Sequence, residues 1–140
     1  AMPFPYLDGM AEAWIATHVK EFEEGKSVIF AITLKGSGQL IGAAGLSMQL
    51  QYKLAELGYW VGEEFWNHGY CTEAAKAVLD YALNSLHLHK VTANHFAGNP
   101  ASGRVMEKAG MHYEATLKSH ILHWGAYKDL VCYAIFGQGD

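Results

Sequence analysis

Cysteine is scarce in this chain: Cys71 and Cys132 are the two among 140 residues. They lack CxxC spacing, which excludes a disulfide framework and a thiolate zinc site, and a reducing cytoplasm is the compartment that suits them. Proline is scarce as well, at three residues. With no Pro-rich or Gly/Ser-rich tract, low-complexity segment or internal repeat, nothing marks a linker, so residues 1–140 are expected to form one domain. Charged residues are only 17% of the sequence, and the formal net charge is −4. Lys and Arg are scattered rather than gathered into a stripe, which argues against nucleic acid as a partner. A mildly acidic surface still tolerates a cationic ligand. Long apolar runs are missing too. None approaches the ~20 residues that span a bilayer, and no signal-peptide pattern opens the sequence, so no membrane partner is expected.

What the sequence has is apolar substance. Hydrophobic residues make up 51%, enough for a chain of this length to bury a real core. Asp8 is placed to cap a helix running to about Glu24, with Met10, Ala13, Trp14, Ala16, Thr17 and Phe22 on its apolar side. Ser27–Leu34 and Gln39–Met48 read as two strands of a hairpin around Lys35-Gly36-Ser37-Gly38. The second of them carries Gly42, Ala43, Ala44 and Gly45, so a neighbour can pack close to it. Tyr52–Val61 follows as a third strand, Thr72–Leu86 as an Ala-rich helix and Lys90–Phe96 as a fourth strand. Asn99–Ala109 is a second helix, with Asn99 as cap, Pro100 in the first turn and Gly110 as its stop. Met111–Lys118 and Ala126–Phe136 read as a closing pair of strands separated by a polar, aromatic loop. The order predicts an α/β (α+β) fold: a mixed sheet with antiparallel hairpins first and a strand-helix-strand unit in the middle.

The organising stretch is Gly58 to Val78, GYWVGEEFWNHGYCTEAAKAV. A strand gives way to a short turn, Trp66 to Cys71, and then to a helix with Ala74, Ala75, Val78, Leu79 and Ala82 at helical spacing. The first amides of such a helix have no intrahelical partner and sit at the positive end of its dipole. Gly69 lets a ligand come close to the backbone, and Thr72 offers a hydroxyl. The pattern points to phosphate cradling.

These residues, with the later segment Asn99-Pro-Ala-Ser-Gly-Arg-Val-Met-Glu-Lys-Ala-Gly-Met111, resemble the GNAT superfamily of acyl-CoA N-acyltransferases, in particular its RimJ/RimL-like branch. The resemblance covers about Tyr6 to Phe136. Of the superfamily loop Arg/Gln-x-x-Gly-x-Gly/Ala only Gly69 matches strictly, with Trp66 and Cys71 in the flanking places. The branch version W-x-x-G-Y-x-T-E-A fits at Trp66, Gly69, Tyr70, Thr72, Glu73 and Ala74. The resemblance implies a mostly antiparallel sheet flanked by helices, with a splayed parallel strand pair. It also implies acetyl-CoA as cosubstrate, with its pyrophosphate on the amides of His68, Gly69, Tyr70, Cys71, Thr72 and Glu73. Trp60, Val61 and Gly62 would border the cofactor and supply a backbone contact to the oxyanion, and Asn99 would touch the cofactor while capping its helix. Trp66 and Tyr70 read as rim or core aromatics. Met106 stands where the superfamily often has a tyrosine that protonates the departing thiolate, and a thioether cannot donate a proton. The branch often has a serine at the place of Ser102, which implies a hydroxyl partner for the thiolate.

A primary amine is mostly protonated at neutral pH, with a pKa of ~8 for an α-amine and ~10 for lysine, so the reaction needs a base. Glu56, on the strand leading into the loop, is the candidate, and flanking Leu54, Ala55 and Leu57 are expected to desolvate it. His112, His120 and His123 are alternatives. His87-x-His89 with His95 lacks a fourth ligand, so no metal is expected. Cys132, inside the apolar run VCYAIF, reads as packing. The branch usually begins with a further strand and helix that this sequence appears without, a departure that leaves a strand edge to cover and predicts a homodimer or other assembly. The reading is an N-acetyltransferase that moves an acetyl group from acetyl-CoA to a primary amine, a protein N-terminus or a small molecule, by direct attack in a ternary complex. An acyl-CoA-binding module with little catalysis and a domain binding another nucleotide are the other readings.

Overall fold

In Ser27–Leu34 the side chains of Val28, Phe30 and Ile32 turn inward while Ile29 is exposed, the two-residue period of a sheet with one covered face. Much the same alternation runs through Leu40–Gln49 and Leu54–Val61. The computed structural model describes residues 11–15, as backbone, and 27–138. Its strands are β1 (Ala11–Ile15), β2 (Ser27–Leu34), β3 (Leu40–Gln49), β4 (Leu54–Val61), β5 (Lys90–Phe96), β6 (His112–His123) and β7 (Ala126–Phe136). Helix α1 (Tyr70–Asp80) runs on into a π-helical turn, Tyr81–Ser85, and α2 is Pro100–Lys108. The sheet order is β1-β2-β3-β4-β5-β7-β6, and every neighbouring pair is antiparallel except β4 and β5. The expected mixed fold is therefore present.

Helix α1 packs on β3 and β4, and α2 packs on α1 and β5. Between helices and sheet lies the core, whose largest side chains under 2% exposed are Phe30, Ile32, Leu46, Met106, Val28, Val78 and Val91. Small residues set the strand spacing. A Cβ on Gly42 would fall on the Trp60 carbonyl oxygen and lie 2.9 Å from Val61 Cα, so β3 and β4 approach as closely as they do because that position has no side chain.

Three expectations need correction. Within the helix expected from Asp8 to Glu24, Ala11–Ile15 is a strand, paired with β2 from Ala11↔Leu34 to Ile15↔Phe30; the remainder of that helix lies outside the described residues. A five-residue run fits either period, and the hydrogen-bonding groups along the edge of β2 decide in favour of a strand. That pairing also covers the edge of β2 that was expected to be bare, and among the described residues β1 is the end strand of the sheet. Finally, the loop expected between Lys118 and Ala126 is mostly strand. Trp124 (φ 52) and Gly125 (φ 78) form a two-residue left-handed turn that pairs His123 with Ala126, while the register of β6 slips between Leu117 and Ile121.

Candidate active site

Sheet pairing opens the site. β4 and β5 are hydrogen-bonded only where Leu54, Ala55 and Glu56 face Lys90, Val91 and Thr92. Beyond Glu56, β4 stays with β3 through Gly42↔Val61, and β5 stays with β7 through Phe96↔Leu130, so the two parallel strands part. The gap leaves backbone groups of β4 without a strand partner. Gly62 donates its N–H to Ile41 O at 2.8 Å, and in an antiparallel ladder such bonds fall on alternate residues. The amides of Gly62 and Trp60 therefore face β3, and those of Tyr59 and Val61 face the gap. Of the three residues expected to offer an oxyanion donor, Val61 alone is turned that way; the sequence reading missed Tyr59.

At the end of β4 the chain folds back on itself. Glu63–Phe65 makes one 3-10 turn, and the Trp66 indole Nε1 donates to Val61 O at 2.8 Å, tying the turn to the strand end. Asn67 (φ 65) and Gly69 (φ 79) take left-handed conformations, which glycine adopts without strain, and α1 begins at Tyr70. The first intrahelical bond is Glu73 N–H to Gly69 O at 2.9 Å. The amides of Tyr70, Cys71 and Thr72 thus lack an intrahelical acceptor and point out of the helix start. The Glu73 amide, counted in the expected cradle, is committed to the helix. His68 is exposed and stacks on Tyr70 with ring centroids 5.4 Å apart.

Across the gap stands the first turn of α2. Asn99 occupies the N-cap position but makes no capping bond with its side chain, contrary to the expected cap. The Tyr59 hydroxyl lies 3.1 Å from Ser102 O, to which it donates, and 3.2 Å from Ser102 Oγ. Burial pushes the Tyr59 phenol up from its ordinary value, against a smaller lowering by the Ser102 hydrogen bond. Burial likewise pushes the neighbouring Cys71 thiol up to about 11. Met106 is 1% exposed and belongs to the core.

Glu56 sits where the two strands begin to separate, and Asn94 Nδ2 donates to its Oε2 at 3.0 Å. The expected desolvation is absent: Ala55 and Leu57 are buried on the helix-covered face, while alternation sends Glu56 to the other face, where it is exposed.

A cavity of about 560 Å³ joins loop, gap and α2. Of the expected residues it is lined by Trp60, Val61, Gly69, Tyr70, Cys71, Thr72, Asn99 and Ser102; Glu56, Gly62, His68 and Glu73 are not on its wall. Tyr59, Asn67, Arg104 and Lys108 also line it and were missed as site residues. Arg104 and Lys108 are four residues apart on α2, a spacing that puts both on one helix face and was legible in the sequence.

A protein-family model described as an acetyltransferase (GNAT) domain matches residues 1–112. YkkB of Bacillus subtilis (strain 168) is 40% identical over 86 residues, 60% of this chain and 50% of its own length. The [ribosomal protein uS5]-alanine N-acetyltransferase of Escherichia coli (strain K12) is 27% identical over 120 residues, 84% of this chain and 62% of that one. The chain thus spans between half and two thirds of these relatives. In fold, it superimposes with a TM-score of 0.88 on RimL, a ribosomal L7/L12 α-N-protein acetyltransferase solved in complex with coenzyme A. That match has 15% sequence identity and covers 96% of this chain and 98% of the other. A splayed β4–β5 pair, a glycine-entered helix start and a match over residues 1–112 meet in one conclusion: the chain belongs to the GNAT family of acetyltransferases.

Proposed function

We propose that this chain transfers an acetyl group from acetyl-CoA to a primary amine by direct attack in a ternary complex. The observation that carries the reading is that one cavity joins a helix start, whose first amides lack intrahelical acceptors, to the mouth of a split sheet. Its size lies within the range of ordinary ligand sites. Its chemistry fits a long ligand with phosphates at one end and a thioester at the other. The amides of Tyr70, Cys71 and Thr72 would hold the pyrophosphate, with Arg104 and Lys108 adding positive charge. The inward amides of Tyr59 and Val61 would serve the carbonyls of the pantetheine arm or the thioester. Ser102 would hydrogen-bond the sulfur as it departs.

The two faces of the sheet divide the labour. Glu56, oriented by Asn94, stands on the face opposite the Tyr59 side chain, about 10 Å along the strand. An amine approaching from that face would find its base there, while the thiolate leaves beside α2. The relative acting on an alanine of a ribosomal protein makes a peptide α-amine the first acceptor to try. The buried Met106, which leaves no phenol at that position of α2, favours the second reading, an acyl-CoA-binding module.

Calorimetric titration with CoA, acetyl-CoA and ATP, followed by thiol release with N-terminal-alanine peptides and small amines, separates the readings. Binding of both CoA forms and not ATP, with thiol release on adding an amine, is the expected result. Binding without release would leave the module, and no CoA binding would overturn both.

A further inference from the structure

The Tyr59–Ser102 contact lies on the helix-covered side of the gap, where no chemistry has yet been given to the phenol. We propose that the Tyr59 hydroxyl is a positioning residue that orients and polarises the Ser102 hydroxyl as hydrogen-bond donor to the departing thiolate. The proposal rests on the acetyl-transfer reading above. Tyr59 comes from β4 and Ser102 from the first turn of α2, 43 residues later, and their side chains meet on the cavity wall.

The geometry restricts what each group can do. A serine hydroxyl has one proton and two lone pairs. Once its proton points at a ligand sulfur, its lone pairs face away from the ligand and need a donor. The phenol has one proton, which it donates to the carbonyl oxygen of Ser102 at 3.1 Å; with Oγ at 3.2 Å, a small rotation of the O–H lets that proton be shared with or turned to Oγ once the serine proton is engaged by sulfur. Donation into Oγ strengthens the outgoing Oγ–H bond, as in any hydrogen-bonded chain. It also selects, among the rotamers of Ser102, the one that lets Oγ meet both partners.

Burial raises the phenol's pKa, so Tyr59 remains protonated, and a donor, across the neutral and mildly alkaline range. The same shift argues against proton transfer from it. A thiol of pKa ~8.5 is the stronger acid, so moving a proton from the phenol to the thiolate runs uphill. In the step itself the amine nitrogen bonds to the thioester carbon and the C–S bond breaks with its electron pair on sulfur. The nitrogen's proton passes to Glu56 or water, and the thiolate, held by Ser102, later takes a proton from solvent. Tyr59 neither gains nor loses a proton.

The test is the thiol pKa of bound CoA, read from the NMR shift of its sulfur-bearing methylene against pH, with kcat measured alongside. Wild type, Tyr59→Phe, Ser102→Ala and the double variant are compared. Tyr59→Phe is expected to raise the bound thiol pKa by about half a unit or more and to lower kcat roughly three- to tenfold, the size of one hydrogen bond. CoA affinity should stay within about twofold. In the Ser102→Ala background the same change should do nothing further, because its effect passes through Ser102. An unchanged thiol pKa in Tyr59→Phe, or effects that add in the double variant, would overturn the proposal while leaving acetyl transfer intact. Wild type that fails to bind CoA would overturn the acetyl-transfer reading and this inference together.

Discussion

Gly42→Ala is the substitution that asks most of this architecture for the least added mass. The new methyl would occupy the place of the Trp60 carbonyl oxygen and sit 2.9 Å from Val61 Cα. Both neighbours are backbone, so no side chain can rotate away, and the end of β4 must move as a unit. Overpacking a tight interior costs about 1–3 kcal/mol, and a backbone neighbour places this site at the upper end. At roughly 2–4 °C per kcal/mol for a chain of this length, thermal denaturation should shift down by ~6–12 °C. Trp60 and Val61 line the cavity, so CoA affinity should fall as well. Gly58→Ala is the matched control: it lies on the same strand with nothing within 4 Å of the added atom, and its effect should stay within about 0.5 kcal/mol. A Gly42→Ala protein melting within ~2 °C of wild type, or a Gly58→Ala protein falling equally far, would refute the close-approach reasoning.

The Cys71 thiol, pushed by burial from 9.0 to about 11, should carry about 100-fold less thiolate at neutral pH than an unshifted thiol. Peptide mapping after alkylation should show correspondingly slow labelling that quickens tenfold per pH unit up to about pH 11, and fast labelling at pH 7 would contradict it. Asp129 is held below the ordinary carboxylate value first by the Ser119 N–H and then by Lys118. A depressed folded value stabilises above the unfolded value and is lost as pH falls through the folded one. The stability gap between wild type and Asp129→Asn, measured by urea titration, should therefore be widest near neutrality and close below about pH 4; a gap constant with pH would remove the charge from the account. Arg104→Gln and Lys108→Gln should each weaken CoA binding by roughly two- to fivefold and flatten its salt dependence, the scale of an exposed ion pair, and unaltered calorimetry would take α2 out of phosphate binding. Glu56→Gln should lower turnover with little change in CoA affinity; unaltered kcat would return the base to a histidine or to water.

Much of this fold could be read from local periodicity, and the failures have local causes. Ser27–Leu34, Lys90–Phe96 and Ala126–Phe136 have the expected bounds: the first two alternate over most of their length, and the third is a β-branched and aromatic run bounded by Gly125 and Gly137. Ala11–Ile15 misled because its apolar residues suit either a helix face or a strand, and the arbiter is an edge contributed by β2, some twenty residues away. The hairpin tip at Trp124-Gly125 was hidden because a tryptophan seldom takes φ > 0, so the dipeptide does not advertise a left-handed turn. In the site, Gly69 and the helix start were legible as a motif. Tyr59 was not, since its importance lies in reaching a residue on another element, and sequence order carries no trace of that contact.

The desolvation expected for Glu56 failed for a reason that bears on mechanism. Flanking apolar residues in a strand do not surround a carboxylate; they occupy the opposite face, and here that face carries the helices. The alternation that leaves Glu56 in solvent also turns Tyr59, three positions on, toward α2. On the acetyl-transfer reading proposed above, Glu56 as base and Ser102, reached by Tyr59, as thiolate partner would stand on different sides of the thioester. An odd spacing along one strand delivers that separation with no loop to order, and the parting of β4 from β5 just past Glu56 provides the opening through which the two faces communicate.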